Sequence, residues 1–260
     1  MHPPGGMGVI TREALTSELS GILLPETFKD YGPNGLQVEG AKEIHHMVCG
    51  VTASLALIER AVQQKAQAIL VHHGLFWRGQ SGVVTGWMKA RLALLLKHDI
   101  NLYAYHLPLD AHPTLGNNAQ LAKDLGLVTT GHFGEQNLGS LGHSEEPLSN
   151  TQSLIERVER ALGRRPLCVG PEQADLRGAT LAWCTGGAQG YFEAAIEKGA
   201  RVYLTGEISE PQAHLARECG VNFLACGHHA TERGGARALG VELGKRLAIT
   251  TEFIDIENPA

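Results

Sequence analysis

The chain's 260 residues suffice for one large domain or two small ones, and its 43% apolar and 19% charged shares are ordinary for a water-soluble globular protein. A formal charge of −5 argues against a general nucleic-acid footprint and leaves room only for a local basic groove. No run of about 18 apolar residues is present to span a membrane, and Met1-His-Pro-Pro-Gly-Gly lacks an apolar signal core, so a cytoplasmic protein is expected.

Met7 is a second candidate for the working start. In chain order, residues 11–23 predict an amphipathic helix with Thr11 as N-cap. The polar stretch 30–40 (DYGPNGLQVEG) reads as a connection turning at Asn34-Gly35. A strand is expected at 47–51, a helix from Ser54 to about Lys65, and a strand at 68–71. A helix follows over 87–97, with Trp87, Leu92, Leu95 and Leu96 toward one side, then a strand at 101–105. Residues 131–147 read as loop, and 151–162 as a helix ended by Gly163. Strands at 181–184, 202–204 and 222–225 alternate with helices at 191–198 and 211–218, where Pro211 is tolerated early. A helix over about 232–247 and a strand at 250–254 close the chain.

Two segments look like copies of one unit. ERAVQQKAQAILVHH (59–73) aligns without a gap on EAAIEKGARVYLTGE (193–207), and INLYAY (100–105) on VNFLAC (221–226). Two similar α/β repeats are therefore expected, 1–130 and 131–260, with short apolar strands in largely parallel mixed sheets and helices on both faces.

Metal-type residues gather where both copies' strands end, the usual place for ligands in open α/β sheets. His72 and His73 follow strand 68–71, Asp110 follows strand 101–105, and His228 follows strand 222–225, with Glu232 four residues later near a helix start. Adjacent strand side chains point to opposite faces, so two histidines in a row suit two neighbouring ions better than one. A carboxylate at a helix N-terminus is well placed by the dipole and can bridge two ions. Three imidazoles and two carboxylates suit Zn, Mn, Fe, Ni or Co. Two divalent ions against two carboxylates leave net positive charge for a bridging hydroxide and an anionic substrate, which makes hydrolysis the natural chemistry.

Several neighbours have plainer readings. Asp110 is either a ligand or the cap of a turn. Glu207, at the repeat position of His73, is either a base or ligand at the site or a surface carboxylate. His106 and His112 flank Asp110 and read either as groups that orient ligands, the reading placed slightly ahead, or as direct ligands. His229 either supports a ligand or packs, and His45-His46 reads as a solvated pair. Five cysteines (Cys49, Cys168, Cys184, Cys219, Cys226), odd in number and without Cys-x-x-Cys spacing, read as reduced free thiols. Neither a nucleotide-binding glycine fingerprint, a P-loop nor a nucleophile elbow is present.

Four segments together, PNGLQ (33–37), VHHGLFW (71–77), HLPLDAH (106–112) and GHHATER (227–233), are similar to signatures of the Nif-three-like family, often labelled GTP cyclohydrolase type 2 homologs. The likeness runs from about Asp30 to the C-terminus. It implies two intertwined α/β repeats in a ring-like homohexamer whose metal sites face the cavity. It also implies two divalent ions on His72, His73, Asp110, His228 and Glu232, with Glu232 bridging. Longer members carry a domain between the halves; 131–147 is too short for one, so functions tied to that insert are not expected here. Where many members have an acidic Trp-Asp-Asn type segment, this chain has Tyr31-Gly-Pro-Asn34, and the role of that segment is expected to differ.

Two function classes follow. One is a metal-dependent hydrolase of a nucleotide-like or phosphate-bearing small molecule, with metal-bound water as nucleophile and His106 and Glu207 as supporting groups. The other is a metal-stabilised toroidal scaffold without turnover. A third, DNA processing inside a ring, is disfavoured by the net charge.

Overall fold

A computed structural model describes residues 8–171 and 173–260; the two candidate starts, Met1 and Met7, lie outside the described residues. The chain begins with β1 (Ile10–Thr11) and α1 (Arg12–Leu23), where Thr11 Oγ1 accepts from Ala14 N as the expected N-cap. Next come β2 (Gly35–Val38), β3 (Glu43–Ile44) and β4 (His46–Thr52). Helix α2 (Leu55–Gln63) is capped by Ser54, whose hydroxyl accepts from Leu57 N. Then follow β5 (Ala68–His73), α3 (Gly86–Lys97), β6 (Asn101–Ala104), α4 (Leu107–Ala111) and α5 (Asn117–Leu125). β7 (Leu127–Phe133) and β8 (Gly139–Ser144) precede α6 (Thr151–Leu162), which Gly163 ends at φ +73°. The rest is β9 (Leu167–Val169), β10 (Leu181–Trp183), α7 (Phe192–Glu197), β11 (Val202–Thr205), α8 (Glu210–Cys219), β12 (Asn222–Ala225), α9 (His228–Leu247) and β13 (Thr250–Phe253).

The chain forms two compact units. One comprises the chain up to Leu109 with Gly235–Glu257, the other Asp110–Gly234 with Asn258–Ala260. The first unit's sheet has the order β13-β4-β5-β6-β2, parallel except for β2. Val48, Ile69, Val71, Leu102 and Ala104 form one face and pack with Leu57, Ile58, Met88 and Leu95 of α2 and α3. The other face meets α1, through Tyr103 on Thr16 (2.9 Å), and α9, through Cys49 against Gly240. Helices therefore cover both faces, as expected.

The second unit's sheet has the order β7-β8-β10-β11-β12-β9. Trp183, Leu204 and Leu224 face Leu121, Leu125, Leu154 and Val158 of α5 and α6. On the opposite face Tyr203 and Phe223 pack on Phe192 of α7, with ring centroids 5.9 and 4.9 Å apart. The repeat is kept to the residue: Ala68 pairs with Asn101, and their counterparts Val202 and Asn222 pair in the same register.

Three expectations need correcting. Residues 35–38 form strand β2 rather than a turn, because Leu36 and Val38 add to the sheet edge beside β6. The stretch 131–147 holds most of a β7–β8 hairpin; its glycines suggest loop, but Gly142 is needed where Val128 O crowds the strand. The sheets are mixed, as expected: β13, β4, β5 and β6 pair in parallel, as do β10, β11 and β12, while β2, β7, β8 and β9 join antiparallel. On α3, Leu95 is buried and Leu92 packs on the core as expected, but Trp87 and Leu96 are exposed and Met88 is buried in addition.

Candidate metal centre

Strand β5 extends through both His72 and His73, further than the apolar run suggests. His73 pairs in register with Thr52 of β4, the His72 and His73 rings lie 4.6 Å apart, and His106 joins them at 5.0 Å from His72. His72, His73 and His106 each bring one ligand-type atom, all within 4.8 Å of one another. His106, expected to orient ligands, thus sits in the same cluster as two expected ligands.

Each ring is held by Nδ1. His72 is fully buried, and its Nδ1 lies 3.0 Å from the Tyr105 carbonyl, which can only accept; the proton is therefore on Nδ1 and the lone pair on Nε2. His73 Nδ1 meets Thr52 Oγ1 at 3.1 Å. His106 Nδ1 lies 2.7 Å from Asp30 Oδ1.

The PNGLQ segment builds this arrangement. Asn34 Oδ1 accepts from His106 N (2.7 Å) while its Nδ2 donates to Asp30 (2.9 Å). Gln37 Oε1 accepts from Leu75 N at 2.8 Å, and its side chain lies where a Cβ on Gly74 would stand, so the glycine leaves room for Gln37 directly after His73. Tyr31, at the position where the family likeness departs, packs edge-on to His106 at 6.1 Å, and Trp77 does so at 5.0 Å. Asp30 is the functional residue that sequence reading missed. A carboxylate heading a polar loop looks like a turn residue, and its partner stands 76 positions away.

In the second unit the ends of β10, β11 and β12 converge on His228 and Glu232. His228 Nδ1 lies 2.6 Å from Glu207 Oε1, and its Nε2 lies 3.2 Å from Glu232 Oε2. The hydrogen bond that His228 donates to Glu232, together with the charges of Glu232 and Glu207, outweighs burial and raises the His228 pKa to about 9. Glu232 is buried. Gly186, at φ +72°, gives it room: a Cβ there would collide with Glu232 Oε1 and stand 3.2 Å from His228 Nε2. Thr231 Oγ1 accepts from Gly186 N (3.0 Å) and Thr205 Oγ1 donates to Gly186 O (3.0 Å), locking that loop. Asp110, also buried, accepts from Asn117 Nδ2 (2.9 Å) and Thr185 Oγ1 (3.2 Å).

The remaining candidates sit elsewhere in this scheme. His112 Nδ1 accepts from Leu115 N (3.0 Å), which turns the 112–115 loop. The backbone N of His229 donates to Ala260 O, and His46 Nδ1 meets Gln64 O at 3.1 Å. Burial raises the Cys49 and Cys226 pKa values to about 12 and, with Asp110 and Glu232 nearby, Cys184 higher still. These thiols stay protonated, so the donor set is nitrogen and oxygen. Imidazoles whose Nδ1 is tied to a carbonyl, a hydroxyl or a carboxylate, beside buried carboxylates, fit a divalent-metal site.

The model of the Duf34/NIF3 (NGG1p interacting factor 3) family matches residues 10–259. The chain belongs to that family. A relative from Neisseria meningitidis serogroup A, named GTP cyclohydrolase 1 type 2 homolog, is 53% identical over 233 residues, 90% of this chain and 92% of its own length. A Pseudomonas aeruginosa relative of the same name is 50% identical, covering 96% and 99% of the two chains. The solved structure titled "protein ybgI, unknown function" superposes with TM-score 0.91 at 46% identity, over 96% of this chain and all of that one. The Duf34/NIF3 fold expected from the four motifs is therefore the fold observed.

Proposed function

We propose that this Duf34/NIF3 protein is a dinuclear, divalent-metal-dependent hydrolase of a nucleotide-like or other phosphate-bearing small molecule. Its ligands are His72, His73, Asp110, His228 and Glu232, with Glu232 bridging. The observation that carries the reading is the anchoring of the imidazoles: His72 on Tyr105 O, His106 on Asp30 and His228 on Glu207 each have Nδ1 committed as donor. Asp110 lies four residues past His106, and Glu232 four past His228, so both carboxylates accompany a histidine along the chain. A nitrogen and oxygen set without thiolate favours Zn, Mn, Fe, Ni or Co. Ions held by these residues would supply Lewis acidity, lowering the pKa of water from 15.7 toward ~7.

Within this reading Glu207 orients His228, Asp30 orients His106, and Gly186 keeps space beside Glu232. GTP is the first substrate to try, because the relatives' name points there. The test is turnover of a nucleotide and phosphoester panel by metal-replete protein, with chelated protein as control. Hydrolysis that chelation abolishes and metal restores is expected. A metal-replete protein that turns nothing over contradicts the hydrolase and favours the metal-stabilised scaffold.

A further inference from the structure

The histidine cluster of the first unit is bordered by side chains that the metal chemistry does not use. Two loops supply them: 30–34 carries Tyr31, and 75–80 carries Trp77 and Arg78. Backbone groups fasten the loops together. Arg78 N donates to Tyr31 O at 2.6 Å, and Arg78 Nη2 donates to Asp30 O at 2.7 Å. Gly32 permits the close approach, since a Cβ there would collide with Phe76 O and stand 3.3 Å from the Trp77 ring. Gln80 secures the second loop, its Oε1 accepting from Trp77 N at 3.0 Å.

The rings are thereby set beside the cluster. The centroid of Trp77, which is half-buried, lies 5.0 Å from that of His106 and 6.0 Å from that of His73, and Tyr31 lies 6.1 Å from His106. Tyr31 is nevertheless 51% exposed. Arg78 stands over one face of its ring, 5.8 Å from the centroid, a cation–π contact that orients the phenol. Single exposed apolar side chains are ordinary. Tyr31 differs because its own backbone, and not burial of the ring, fixes it at the edge of a three-histidine cluster and near a second large aromatic. A ring held in that way offers a flat π-surface to whatever the cluster binds.

We infer that Tyr31, flanked by Trp77, is a stacking platform for a planar ring of the substrate, which makes that substrate a nucleotide and not a simple phosphoester. The inference rests on the proposed hydrolase for the phosphate end of the molecule and names what lies at the other end. Stacking tolerates any base, because every base has a π-face. The platform therefore selects for a flat ring without choosing among bases.

The test is calorimetric titration of metal-loaded protein with GMP and with ribose 5-phosphate, which lacks the base, metal content being measured on the same samples. Wild type should bind GMP about tenfold more tightly than ribose 5-phosphate. Tyr31→Ala should abolish that preference, and Tyr31→Phe, which keeps the ring, should retain it. If Tyr31→Ala does not fold, Tyr31→Leu, with bulk but no π-face, carries the same expectation. Wild type that binds GMP no more tightly than ribose 5-phosphate, or Tyr31→Ala that keeps the preference, overturns the platform and leaves the hydrolase reading standing. So does loss of the preference in Tyr31→Phe, which would assign the effect to the hydroxyl. Equal weakening of both ligands in Tyr31→Ala, together with lost metal, would show that the ring only shields the Asp30–His106 contact, and also overturns it. A Tyr31-dependent preference for GMP in protein that holds no metal and turns nothing over leaves the platform standing and defeats the hydrolase.

Discussion

At the scale of single residues, Asp30 shows how a site is aimed from outside it. Its side chain is 3% exposed and accepts from Tyr31 N (2.6 Å), Asn34 Nδ2 (2.9 Å), His106 Nδ1 (2.7 Å) and Leu107 N (2.9 Å). Burial alone pushes its pKa up, but the hydrogen bond and charge of His106, then Asn34 and the Tyr31 N–H, outweigh it and hold the pKa at about 2. A depressed carboxylate stabilises the fold above its unfolded pKa near 4, and that stabilisation is lost as pH falls through about 2. Urea unfolding of the chelated protein between pH 4 and 2 should therefore show wild type losing about 2 kcal/mol more than Asp30→Asn. Parallel curves for the two proteins would remove Asp30 from the ion-pair account. The sign is opposite at His228, whose raised pKa means that protonation competes with metal below about pH 9.

At the scale of elements, the repeat supplies a second check. Asn101 and Asn222 are fully buried at matching positions of β6 and β12. Asn101 accepts from Gly40 N (2.8 Å) and donates to Ala41 O (2.8 Å) and Gln67 O (3.0 Å), joining three connections at one strand start. Asn222 uses the matching position differently, donating to the Thr151 hydroxyl at 2.9 Å. Asn101→Ala leaves buried backbone groups without a partner and should cost roughly 2–4 kcal/mol in urea unfolding; a change below about 0.5 kcal/mol would show that water replaces the amide.

Much at this scale was legible. Thr11 and Ser54 cap the expected helices, and the aligned copies predict strands that pair in the same register. What escaped was set by partners remote in sequence. β2 is four residues whose hydrogen bonds come from β6, and the β7–β8 hairpin depends on glycines that local pattern reads as loop. The site divides the same way. Strand-end histidines announce themselves by spacing, whereas Asp30, and His106 as a neighbour of His72 and His73, are visible only after folding.

At the scale of the whole molecule, each unit is a mixed sheet covered by helices on both faces, and no described helix is long and apolar enough to cross a membrane. We propose from the family likeness that the chain assembles as a homohexamer. Light scattering on the eluting protein should then give about six times 27.9 kDa, and a monomer or dimer mass would refute the ring. The central claim, two ions bridged by Glu232, is tested most directly by metal analysis of purified wild type and Glu232→Gln at matched circular dichroism. The account predicts two divalent ions per wild-type chain and the loss of at least one in the variant with the fold unchanged. Full metal content in Glu232→Gln would contradict it.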